Sequence, residues 1–223
     1  MIEYLQQVDA SMLVAINGWH GALADHALWM VSSRLSWALP VLALLLTLRR
    51  KPWRQAVTMV LAVALVILVA DQVSSSIIKH AVERLRPTHE PSLEAMVRVV
   101  NDYRGGLYGF VSSHAANTVG VTVLLCAAMR YVPLTLSLSL WTALVCYSRM
   151  YLGVHYPGDI LGGAIVGAAA AALVLWLAAI AGRRTHSEWA LPQFTTADAR
   201  VMTLAVTLNA VAIFLIAVAQ TFL

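Results

Sequence analysis

Three short clusters in the 223-residue chain combine cations, hydroxyls and imidazoles, side chains that can hold an anion such as a phosphoryl group and do acid, base or nucleophilic chemistry beside it. The first is Lys79-His80-Ala81-Val82-Glu83-Arg84-Leu85-Arg86-Pro87, and the second is Val111-Ser112-Ser113-His114. The third runs from Ser148-Arg149 through His155 to Asp159. A phosphoryl group carries charge that must be held while a nucleophile approaches in line, so its catalysis is largely positioning and electrostatic stabilisation. Lys79, Arg86 and Arg149 can supply that charge, arginine as a planar fork matched to phosphate oxygens and lysine as a point charge. Ser112 and Ser113 stand at the start of an apolar run read as a helix, whose first N–H groups lack internal partners and make an anion site. His114 and His155 are imidazoles that can act as nucleophile, acid or base, although spacing alone does not assign those roles.

Each of these residues has a plainer reading when taken singly. An isolated lysine or arginine at a membrane boundary can snorkel, and an isolated histidine is usually a solvated or satisfied polar group. His20, His26, His89 and His186 are read in that way, and so are His80 and Glu83, which fall between the spaced positions of the first cluster. Arg84, Arg98 and Arg104 are read as solvated loop residues.

The elements that must position the three clusters are membrane helices. Apolar residues make up 60% of the chain and charged residues 12%, and mean hydropathy is +0.75, far from the balance of an ordinary soluble domain. Spans are expected near residues 27–48, 55–78, 113–130, 132–150, 158–182 and 201–223, giving an all-α bundle of six transmembrane helices. Residues 1–20 read as an amphipathic helix lying in the interface, with Leu5, Val8, Met12, Leu13 and Ile16 opposite Glu3, Gln6, Gln7 and Asp9. This amino-terminal stretch lacks the basic start and clean apolar core of a cleaved signal peptide, so it is expected to stay in the mature protein. Gly163 and Gly167 in the fifth span suit close helix approach. Cys126 and Cys146 fall inside apolar runs and read as small buried hydrophobes. Arg34 and Asp71 are charges at similar depth within the first two spans and are expected to pair, because a lone charge there is costly.

Loop charge sets the orientation. Arg49-Arg50-Lys51-Pro52-Trp53-Arg54, Arg130 and Arg183-Arg184 mark cytoplasmic connections. Residues 79–112 and 149–157 and both termini then fall on the opposite face, so all three clusters sit at outer helix ends. The net charge of +4 is scattered over segment ends with no basic stripe interleaved with aromatics, so no nucleic-acid partner is expected.

In order and spacing the clusters resemble the type-2 phosphatidic acid phosphatase family, lipid phosphatases related to vanadium haloperoxidases and glucose-6-phosphatase. Lys79, six residues and Arg86-Pro87 match its first element, while Ser148-Arg149, five residues, His155, three residues and Asp159 match its third. The second element, Pro-Ser-Gly-His, is matched at Ser112 and His114, with Val111 in place of the proline and Ser113 in place of the glycine.

The resemblance implies a helical bundle with a phosphate pocket at its outer edge and a lateral opening for lipid. It implies one membrane-embedded domain over residues 1–223, with the catalytic motifs within 79–159. His155 would attack phosphorus and become a phosphohistidine, Asp159 would hold its other ring N–H, and His114 would protonate the leaving oxygen and then help activate water. Lys79, Arg86, Ser112, Ser113 and Arg149 would bind phosphate. No paired metal-binding carboxylates accompany these groups, so no metal or cofactor is expected and turnover should persist in chelator. The expected substrate is a phosphorylated membrane lipid, undecaprenyl diphosphate first, handled at the periplasmic face of the plasma (inner) membrane. Phosphatidylglycerophosphate, phosphatidic acid and lipid A phosphates are alternatives, as is phosphate transfer to another lipid. A non-catalytic phospholipid-binding or transport protein is the reading from another class, disfavoured because binding alone needs no activated nucleophile.

Overall fold

In the computed structural model, residues 2–222 are described, so Met1 and Leu223, the outermost residues of the expected first and last segments, lie outside the description. The described residues fold into nine α-helices with no β-strand. In chain order these are α1 (Ile2–Gly18), α2 (Ala22–Ser32), α3 (Ala38–Leu48), α4 (Trp53–Asp71) and α5 (Lys79–Val82). They are followed by α6 (Ser113–Met129), α7 (Val132–Tyr151), α8 (Pro157–Arg184) and α9 (Thr196–Phe222).

Trp53–Val82, Pro157–Arg184 and Thr196–Phe222 are each long and apolar enough to cross a bilayer alone. The first includes a π-helical stretch, Gln72–Ile78, between α4 and α5. The expected first span is not one straight helix. It is α2 and α3, bent by 67° across a 3₁₀ turn at Arg34–Trp37. The bend defeats a depth count based on a continuous helix, and the Arg34–Asp71 pair does not form among the described residues. Asp71 instead accepts a hydrogen bond from Ser75 Oγ at 3.4 Å. The buried Asn209 of α9 donates to the carbonyl of Ser36 at 2.8 Å, satisfying a backbone group that the break leaves open.

Packing follows from small residues and apolar faces. A Cβ on Gly163 would lie 2.4 Å from the Ser112 carbonyl oxygen, and one on Gly167 would lie 2.1 Å from that of Ala116, so only glycine admits the approach of α6 to α8. The largest apolar cluster joins Met59, Val66, Leu124, Leu134, Leu138, Trp141, Met202 and Val206, below the motif-bearing helix ends. Leu35, Leu140, Leu161 and Ile165 face outward, as a bilayer allows. Cys126 and Cys146 are free thiols.

The first helix presents a mixed polar and apolar stripe to the bundle. Asp9, Leu13 and Asn17, spaced four apart on one stripe, turn toward the bundle, while Leu5 and Met12 are exposed. Asn17 donates to the carbonyls of Tyr151 at 2.7 Å and Arg98 at 2.9 Å, and its own oxygen accepts from the Arg98 amide. Helix α1 therefore docks over the ends of α7 and α8 through polar groups. Apolar periodicity could not reveal this face, since its two outer members are polar.

Candidate active site

The site is built from the ends of α5, α6, α7 and α8 and the loop that follows α5. Helix α8 starts with Pro157 at its first turn, preset in φ, and Asp159 two residues on accepts a bond from the Tyr156 amide at 3.0 Å. The cap fixes the Asp159 carboxylate beneath the loop residue His155, whose Nδ1 lies 3.2 Å from Asp159 Oδ2. The other ring nitrogen, Nε2, lies 3.0 Å from Arg86 Nη1. Guanidinium can only donate, so Nε2 is the accepting nitrogen and the proton resides on Nδ1, directed at Asp159. Both His155 and Asp159 are buried.

Arg86 is held over the ring by two carbonyls: its Nε donates to Tyr108 at 3.1 Å and its Nη1 to Val154 at 3.2 Å. Those bonds depend on the loop pairing with itself, since the Arg86 amide donates to Leu107 and the Gly109 amide to Arg84, at 3.0 and 2.8 Å. The 83–112 loop is thus a folded wall, pinned further by Thr88 to the Arg104 carbonyl at 2.7 Å.

At the start of α6, Ser112 caps the helix by accepting from the Ala115 amide, and its own amide donates to the Asp159 carbonyl at 2.9 Å. This bond joins the second and third clusters. Ser113 Oγ accepts from Lys79 Nζ and meets Ser75 Oγ, both at 2.8 Å. Arg149, buried at the end of α7, donates to Ser32 Oγ and to the Tyr103 hydroxyl, the latter at 3.3 Å, and its Nε is buried without a partner. His114, on the first turn of α6, lies within the electrostatic reach of His155, Arg149, Arg86 and Lys79. All eight residues singled out in the sequence therefore gather at one end of the bundle.

Burial, and after it the positive charges of Arg86, Arg149 and Lys79, hold the His155 imidazole well below its ordinary protonation range. The ring is neutral at pH 7, with a lone pair on Nε2, as an attacking nitrogen requires. The three cations surrounding it have little protein negative charge to balance them, which suits an incoming anion. Among the described residues, no group of three or more His, Cys, Asp or Glu side chains gathers in a metal-binding arrangement.

Arg84 reads in the sequence as a solvated loop residue, and the structure corrects this. The side chain is partly buried and bridges two carboxylates, Asp159 Oδ1 at 3.1 Å and Asp9 Oδ2 at 2.7 Å, with its guanidinium 3.8 Å from the Tyr156 ring centre. Arg98, also read as solvated, pairs with Asp25 of α2, while Arg104 stays exposed near Glu94. Nothing in the spacing marked these ion pairs, because their partners are distant in sequence.

The signature of the PAP2 superfamily matches residues 55–183, more than half of the chain and all three clusters. The chain belongs to the PAP2 superfamily. A lipid A 4'-phosphatase of Bacteroides thetaiotaomicron is 36% identical over 195 residues, covering 86% of each chain. A lipid A 4'-phosphatase of Porphyromonas gingivalis is 36% identical over 167 residues, 74% of this chain and 71% of that protein. Among solved structures, the transmembrane PAP2-type phosphatidylglycerolphosphate phosphatase of Bacillus subtilis superposes with a TM-score of 0.58 at 21% identity, over 78% of this chain and 86% of its own, a likeness of fold. The protein is thus a multi-pass membrane enzyme of the PAP2 class, a lipid phosphatase.

Proposed function

We propose that this PAP2 enzyme removes a phosphate monoester from a lipid A-type glycolipid, by way of a phosphohistidine on His155, at the periplasmic face of the inner membrane. The observation that carries the chemistry is the His155 ring, buried, neutral, and oriented by Asp159 so that Nε2 faces the cations. In the first step the Nε2 lone pair forms a bond to phosphorus as the bond to the lipid oxygen breaks, and His114, protonated once the bound phosphate offsets the charge of Lys79, Arg86 and Arg149, donates a proton to that oxygen. The Nδ1–H bond to Asp159 stabilises the positive ring so formed. In the second step His114 accepts a proton from water, whose oxygen attacks phosphorus, and the N–P bond breaks to release phosphate. Lys79, Arg86, Arg149, Ser113 and the amides at the Ser112-capped start of α6 bind the phosphate oxygens. These roles require no metal or cofactor.

The lipid A reading is supported by two relatives of that activity that align over most of their length. It replaces undecaprenyl diphosphate as first choice, which rested on the chain being a small, nearly loop-free member of bacterial type. The periplasmic placement is supported by the basic loops at the opposite end of the bundle. We take residues 1–223 as one catalytic unit, consistent with the docking of α1 on the motif-bearing end.

The test is phosphate release by purified protein from lipid A, phosphatidate, phosphatidylglycerophosphate and undecaprenyl diphosphate, with His155→Ala alongside. Lipid A should be turned over fastest, and the variant should lose at least about a thousandfold in rate. Equal release by both proteins would remove His155 as nucleophile, and preference for another lipid would reassign the substrate.

A further inference from the structure

We propose that Asp9, on the amino-terminal helix, is a positioning residue of the catalytic centre: it holds Arg84 against Asp159 and thereby fixes the carboxylate that orients His155. The proposal rests on His155 and Asp159 acting as described above. Helix α1 lies outside residues 55–183, the part matched by the superfamily signature, so that match assigns it no role.

The geometry forms a continuous chain. Asp9 Oδ1 accepts from the Gly158 amide at 2.7 Å, anchoring α1 to the first turn of α8 next to Asp159 itself. Asp9 Oδ2 takes Arg84 Nη2 at 2.7 Å, and Arg84 Nη1 reaches Asp159 Oδ1 at 3.1 Å. The opposite oxygen of Asp159, Oδ2, receives the His155 ring and the Tyr156 amide. Arg84 is further confined by its stacking over Tyr156. Each carboxylate oxygen of Asp159 therefore has an assigned partner, and the guanidinium occupying Oδ1 is itself held by α1. Leu13 and Asn17, on the same stripe as Asp9, keep the helix in register on the bundle.

Without Asp9, Arg84 has lost one of its two anionic partners and can turn to solvent. The Asp159 carboxylate, relieved of that cation, stays beside the ring through the Tyr156 amide but is no longer fixed in its angle to it. Its charge also becomes less balanced and favours protonation of His155. The charged and titratable groups facing His155 are Asp159 from α8, His114 from α6, Arg86 from the loop, Arg149 from α7 and Lys79 from α5, and none of them is substituted in an Asp9 variant.

Asp9→Asn isolates the effect, because the amide oxygen can still accept from Gly158 while the charge facing Arg84 is gone. On whichever of the four lipids the wild-type protein hydrolyses fastest, Asp9→Asn should lower kcat by between about tenfold and a hundredfold. KM should stay within about twofold, since no substrate contact is removed. The acid limb of the pH profile should move to higher pH. Arg84→Gln should behave alike, the double variant should be no slower than the slower single one, and Asp9→Glu should recover most of the rate. A purely structural helix would give lower protein yield or a lower melting temperature with an unmoved pH profile. Wild-type kcat and pH profile in Asp9→Asn, or independent multiplication of the two single losses, overturns the proposal. If Asp9→Asn does not fold, an unshifted acid limb in Arg84→Gln does the same. Full activity of His155→Ala would instead strike the underlying reading of the site.

Discussion

The ring of His155 shows how burial and charge prepare a nucleophile. A histidine exposed to water is half protonated near pH 6.5 and then has no lone pair to offer. Here burial and the flanking Arg86, Arg149 and Lys79 disfavour the charged form, so the ring stays neutral as pH falls through the usual histidine range. The acid limb of kcat/KM, which reports the free enzyme, should therefore lie below pH 6.5; loss of activity centred at or above that value would show that the field of the cations does not dominate His155. The eight candidate residues could be picked out because their order and spacing resemble a family pattern, and the fold gathers them at one end of the bundle. Arg84 and Asp9 were not legible. An arginine in a polar loop and an aspartate on a helix look solvated until the fold brings them to a buried carboxylate, and that juxtaposition spans 75 residues in one case.

At the scale of elements, the helix ends matter more than the spans. The α6–α8 contact at Gly163 and Gly167 sets how closely the Ser112 cap approaches the first turn of α8, and the Ser112 amide bond to the Asp159 carbonyl depends on that approach. Gly167→Ala should push the helices apart, lowering stability in detergent by about 1–3 kcal/mol. It should also reduce turnover by about tenfold or more as the two clusters separate. Thermal unfolding and initial rates measure both, and a fully active, equally stable variant would show that the contact tolerates expansion. This pairing could be read from the sequence, since glycines four apart on an apolar helix have few other uses. The bend between α2 and α3 was legible only in part: Pro40 offers the Ser36 carbonyl no N–H and so marks a break just upstream, but the 67° angle depends on tertiary bonds such as Asn209 to Ser36, which no local spacing shows.

For the whole molecule, orientation follows from where the basic loops lie, and it decides which lipid leaflet feeds the site. In a background lacking Cys126 and Cys146, a membrane-impermeant maleimide added to intact cells whose outer membrane is permeabilised should label Asn101→Cys and spare Ser187→Cys, both exposed positions at opposite ends of the bundle. The reverse pattern would put the site in the cytoplasm. The π-helical stretch between α4 and α5 has a further bearing on how such chains should be read. Its wide turn precedes Lys79, whose ammonium meets Ser113. Deleting one residue between Gln72 and Ile78 would leave every motif letter and every interval between Lys79 and Asp159 untouched. It would also turn Lys79 by about 100° around the helix axis, away from the anion. A sequence could thus retain the full phosphatase signature and be inert, with the defect hidden in an unremarkable apolar stretch upstream of it.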